Sequence, residues 1–93
     1  MKPSELMLIG FAMAGEKQTD HWYWRGGTSR HPESVCAIGA MNLAETKDAE
    51  DWGDASELAN YRAKSIFGES LATVNDEGMS IPDIAGILAS EGL

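Results

Sequence analysis

Ninety-three residues suffice for one domain near the lower end of the usual range, and 43% hydrophobic with 24% charged residues is the composition of an ordinary globular chain, not a disordered or fibrous one. Fifteen Asp and Glu against seven Lys and Arg give a formal charge of −8, which repels nucleic acid phosphates and anionic membrane surfaces and favours a basic partner. The lone cysteine, Cys36, excludes an intramolecular disulfide and an all-cysteine metal site, and a reducing cytoplasm is its simplest setting.

Pro3-Ser4-Glu5 followed by Leu6, Ile9, Gly10 and Met13 predicts a first helix from about Ser4 to Ala14, capped by the serine and ended by Gly15. Met7, Leu8 and Phe11 make its other faces apolar, so protein should surround it on most sides, with Gly10 admitting a neighbouring helix closely. The run Leu6–Ala14 resembles the apolar part of a signal peptide, with Ala12-Met13-Ala14 in place of a cleavage site. Glu5 in its leader speaks against that reading, and the run is far short of the roughly 20 apolar residues that span a bilayer.

From Glu16 to Ser34 the periodicity is lost around His21-Trp22-Tyr23-Trp24-Arg25-Gly26-Gly27. No second apolar run follows the two glycines to complete a hairpin, so a long loop held onto the core by its indoles is expected. Val35, Ile38, Gly39 and Asn42 or Leu43 then define a mostly buried second helix after Pro32, with Cys36 inside it as a small hydrophobe.

An acidic loop occupies Glu45 to Glu57 with Lys47 as its only cation. Asp54 and Glu57 form a capping box that opens a third helix through Leu58, Ala59, Tyr61, Arg62 and Ile66 until Gly68. Leu71 and Val74 make a short fourth helix. Ser80 and Asp83 around Ile81-Pro82 start a last one, with Ile84, Ile87 and Leu88 facing the core. The fold class expected is mainly α: a single-domain bundle of four or five short helices over 1–93, with a long aromatic loop.

No catalytic constellation emerges. His21, His31 and Cys36 lack the number and spacing of structural zinc ligands, Gly26-Gly27-Thr28 is no phosphate-binding loop, and no serine lies in a nucleophile elbow. Neither a metal nor another cofactor is implied. The informative cluster is Trp22, Trp24 and Arg25, since Trp, Tyr and Arg are enriched at binding hot spots, although indoles in a loop equally anchor it to a small core. A second candidate edge comprises Asp48, Glu50, Asp51 and Asp54 around Trp52.

The order of landmarks Trp22–Gly26, Cys36-Ala37-Ile38-Gly39-Ala40, and Val74-Asn75-Asp76 before Ser80-Ile81-Pro82-Asp83-Ile84 resembles a family of small actinobacterial and bacteriophage proteins labelled as a domain of unknown function. The resemblance covers roughly Trp22 to Leu88. It departs from the pattern at Val74, where a tryptophan is usual, and in the acidic segment Asp48–Asp54. It implies a helical fold and a phage-related origin, and it brings no activity or ligand.

The leading functional expectation is a small non-enzymatic protein that binds and modulates or inhibits a larger host protein with a basic surface, one variant being a mimic of nucleic acid. No direct contact with nucleic acid or membrane is expected. A rival is a small hydrolase or transferase with its site between the Trp22–Arg25 loop and Cys36, which a pocket containing Asn75, Asp76 or a histidine would favour. A third reading is a structural component of a larger assembly.

Overall fold

The computed structural model describes residues 1–93 as five helices and one two-stranded sheet: α1 (Pro3–Met13), β1 (Trp24–Gly27), β2 (Pro32–Val35), α2 (Ala37–Thr46), α3 (Asp54–Phe67), α4 (Leu71–Asp76) and α5 (Ile81–Ser90). The chain is mainly helical, and none of its helices is long and apolar enough to cross a membrane. α2 is the central element. Ala37 to Ala44 are all buried, and α1 packs along α2 while α5 closes against α1. Met7, Met41, Leu43, Leu71, Ile81, Ile84 and Leu88 form the fully buried centre.

Gly10 sets the approach of α1 to α2. A Cβ at Gly10 would collide with the backbone carbonyl of Ala40, so the two helices touch main chain to main chain. α1 is nevertheless less enclosed than its apolar sequence implies: Leu8, Ile9 and Met13 are exposed, because α2 and α5 cover only the side carrying Leu6, Met7 and Gly10. Ser4 does not cap this helix either. It lies inside the first turn, where its hydroxyl and amide both donate to the Leu93 carbonyl at 3.0 Å, and the first turn is closed instead by Glu5 accepting from the Lys2 amide at 2.9 Å.

The expected aromatic loop contains a hairpin. β1 and β2 pair antiparallel with Trp24 opposite Val35 and Gly27 opposite Pro32. Gly26 and Gly27 both have positive φ, +73° and +72°, and Thr28 and His31 exchange backbone hydrogen bonds across the turn. Alternating apolar residues are not needed, because β2 has a second neighbour: Val35 donates to the Lys17 carbonyl and accepts from the Thr19 amide, which buries Val35 completely between two segments.

Two helix starts also differ from the sequence reading. Cys36 precedes α2 as its N-cap, its sulfur accepting from the Gly39 amide at 3.3 Å. The Asp54–Glu57 capping box is absent. Gly53 is the N-cap of α3, and the Glu45 carboxylate reaches across from α2 to accept from the Ala55 amide at 2.9 Å, so an acid 10 residues away does the capping. Ser80 caps α5 as the sequence predicts, and Ser70, a cap the sequence reading did not name, does the same for α4, each hydroxyl accepting an amide at 3.2 Å.

One buried amide joins these elements. Asn75 Oδ1 accepts from Gln18 Nε2 at 2.9 Å and from the Ala37 amide at 3.0 Å, while its Nδ2 donates to the Thr19 carbonyl at 2.9 Å. Gln18 continues the network, donating to the Met79 carbonyl and accepting from the Ile81 amide at 2.7 Å. Asn75→Ala leaves buried partners without hydrogen bonds and is expected to destabilise the fold by about 3 kcal/mol, against about 1 kcal/mol for loss of the cap in Ser80→Ala. Urea midpoints at constant slope measure both, and equal losses in the two variants contradict the special role of Asn75. Gly10→Ala forces α1 off α2 and should destabilise by about 2 kcal/mol or more, read in the same way.

Candidate functional site

The hairpin and the acidic loop, distant in sequence, meet in space through four contacts. The Ala49 amide donates to the Ser29 carbonyl at 2.8 Å; Arg30 Nε lies 3.8 Å from an Asp48 carboxylate oxygen; Trp24 Nε1 donates to Glu50 at 2.8 Å; and Trp52 Nε1 donates to the Tyr23 hydroxyl at 3.3 Å. The Tyr23 and Trp52 rings meet edge to face, with centroids 6.1 Å apart and planes at 88°, a favoured aromatic geometry. The two candidate edges read from the sequence therefore meet through Trp24, Glu50, Asp48 and Trp52, whereas Trp22, Arg25, Asp51 and Asp54 make no side-chain hydrogen bond or ion pair across the junction.

Each limb of this surface is fixed from beneath. The Tyr23 carbonyl accepts from the Cys36 amide at 3.2 Å, and it approaches α2 so closely that a Cβ on Gly39 would collide with it. His21 adopts a left-handed conformation at φ +65°, held there by its amide donating to Asp76 at 2.8 Å. On the other limb, Asn42 donates to the Ala49 carbonyl at 2.9 Å and accepts from the Ser56 hydroxyl, which ties the acidic loop to α2 and α3. The Asp48 carboxylate accepts from the Glu50 amide at 3.0 Å and so shapes the turn itself.

The predicted site residues divide by these roles. Trp24 and Trp52 are half-buried against the core, with their indole N–H groups spent on Glu50 and Tyr23. Trp22 is 60% exposed and its indole N–H has no partner within the chain, which leaves it the freest aromatic group. Arg25, Asp51 and Asp54 are exposed on the surface, whereas Asp48 and Glu50 serve internal bonds.

Beside this surface lies a cleft of about 290 Å³, between the Trp22–Arg25 segment and Cys36 where the rival sequence reading expects a site, and with Asp76 and a histidine in its lining. Trp22, Tyr23, Ile38 and Ala72 line it, together with His21, Asp76 and Cys36. Ala72 and Asp76 come from α4, and no periodic signal links that short helix to the aromatic segment. The cleft gathers a thiol, an imidazole and a carboxylate, but the thiol is ill suited to attack. Burial pushes the Cys36 thiol up, the Asp76 charge adds to that effect, and hydrogen bonds from the Gly39 and Ile38 backbone only partly oppose it. The His21 ring pairs with exposed Asp20 at 3.3 Å. No three His, Cys, Asp or Glu side chains converge to hold a metal ion.

Comparison with protein-family models, curated proteins and solved structures finds no match for this chain. The surface itself is thus the ground for a functional reading.

The buried thiol yields a direct check. At neutral pH an aromatic disulfide reagent should modify Cys36 in the folded protein at least about tenfold more slowly than in urea-unfolded chain, because both access and thiolate are reduced. Equal rates contradict the buried, protonated state.

Proposed function

We propose that the protein is a non-enzymatic binding module that docks a larger protein on the joined aromatic and acidic surface. The observation that carries this reading is the meeting of Tyr23 and Trp24 with Trp52 and Glu50, from two segments held in place by buried hydrogen bonds, with the exposed Trp22 next to Tyr23 in the chain. A prearranged aromatic surface spares the ordering cost of association, and exposed tryptophan and tyrosine at its centre are the usual anchors. The charge of −8 and the exposed Asp51 and Asp54 favour a partner with a basic surface and speed encounter with it.

The internal use of Asp48 and Glu50 weighs for docking over mimicry of nucleic acid, since carboxylates that shape the loop are less free to imitate phosphates. A cytoplasmic setting fits the free Cys36. The cleft with His21, Cys36 and Asp76 favours a second reading as a small hydrolase or transferase, and the raised thiol weighs against it.

Affinity capture from the native host with the parent chain and with Trp22→Ala tests the docking reading. Trp22 is exposed, so its removal should leave the melting temperature unchanged while a specifically retained protein is lost, by about thirtyfold in affinity for a hot-spot residue. Retention of the same proteins by both chains contradicts the surface. Neutralising Asp51 and Asp54 should slow association and flatten its salt dependence, with little change in dissociation.

A further inference from the structure

Resting on the docking reading, we propose that the cleft between Trp22 and Asp76 is the seat of an arginine side chain of the protein partner. Three features of the cleft point to that occupant. The first is an unspent carboxylate oxygen: Asp76 Oδ1 accepts from the His21 amide at 2.8 Å and lies 3.5 Å from Asn75 Nδ2, while Oδ2 has no hydrogen-bond partner and the carboxylate has no ion pair. The second is the pair of aromatic side chains, Trp22 and Tyr23, that line the same space with Ile38 and Ala72. The third is charge: neither lysine nor arginine lines the cleft, and the chain as a whole carries −8.

An acid facing a largely apolar space with aromatic walls calls for a cation that tolerates partial desolvation. A guanidinium does so better than an ammonium, because it is planar, weakly hydrated and stacks on aromatic faces while donating to a carboxylate. The methylene stem of arginine would meet Ile38 and Ala72, so that the apolar part of the cleft is used as well. The effect of Asp76 on the Cys36 thiol agrees with a carboxylate whose field reaches into this space.

The test is an NMR titration of the intact chain with butylguanidinium and with butylurea, a neutral probe of the same shape. Butylguanidinium should move the Trp22 indole N–H and the backbone amides of His21, Ile38 and Ala72 saturably, and butylurea should bind at least about fivefold more weakly. Asp76→Asn keeps an oxygen acceptor for the His21 amide while removing the charge, so the fold should persist and the guanidinium affinity should fall by about tenfold, with butylurea unaffected. Trp22→Ala, at an exposed side chain, should also weaken butylguanidinium.

Equal binding of the two probes, unchanged affinity in folded Asp76→Asn, no saturable shifts, or shifts confined to Asp51–Asp54 would each overturn the proposal. Butylammonium binding as tightly as butylguanidinium would overturn the choice of arginine. The titration needs no partner. Absent guanidinium binding alongside a Trp22-dependent capture removes the arginine seat alone, while guanidinium binding without such a capture removes the docking reading.

Discussion

The buried side chain of Asn75 is the interaction on which the rest of the structure depends. Its carbonyl holds the start of α2 through the Ala37 amide and the strand-like segment through Gln18, while its amino group holds the Thr19 carbonyl. No apolar residue could substitute, since each of these partners would then be buried without a hydrogen bond. Gln18 extends the same fixation to the turn before α5 through Met79 and Ile81. A chain of 93 residues has a small core, and this polar link gives the irregular segment between α1 and β1 a defined path where hydrophobic burial alone would leave several.

From that path the candidate surface follows. Thr19 beside Val35 and His21 on Asp76 deliver the chain to Tyr23, whose carbonyl rests on the N-terminal turn of α2. β1 then directs Trp24 toward Glu50, and the turn after it meets Ala49. A second buried amide, Asn42, fixes the acidic loop from its other side. The two asparagines thus place two polar segments against each other, and Tyr23 and Trp52 meet where those segments join. Trp22 alone of the three tryptophans has no such internal bond, and it walls the neighbouring cleft, which makes it the anchor in the proposed docking.

The helices were legible from local chemistry. Ser80 caps as expected, Gly68 ends α3 in a left-handed conformation, and Ile84 and Leu88 lie on the buried face of α5, whereas Ile87, expected there too, is only half-buried. What escaped depended on partners far along the chain. Glu45 caps α3 across a gap of 10 residues, and the Asp54–Glu57 pattern that imitates a capping box sits one position inside the helix. The hairpin escaped because β2 gains its burial from Lys17 and Thr19 and not from alternating side chains. The candidate site was legible as two separate edges. The cleft between the Trp22–Arg25 segment and Cys36 was legible as a rival site marked by Asp76 or a histidine, while the meeting of the two edges through Tyr23 and Trp52 and the contribution of Ala72 to the cleft follow from tertiary contacts for which residue spacing holds no signal.

The Tyr23–Trp52 junction is assembled without any partner, its rings meeting edge to face and its indole donating to the tyrosine hydroxyl. Proton–proton contacts between the Tyr23 ring and the Trp52 indole in the free protein, combined with relaxation of the three indole N–H groups, test that claim most directly. Strong Tyr23–Trp52 contacts are expected, with the Trp24 and Trp52 indoles as ordered as the backbone of α2 and the Trp22 indole distinctly more mobile. Absence of the Tyr23–Trp52 contacts, with all three indoles equally mobile, would contradict it.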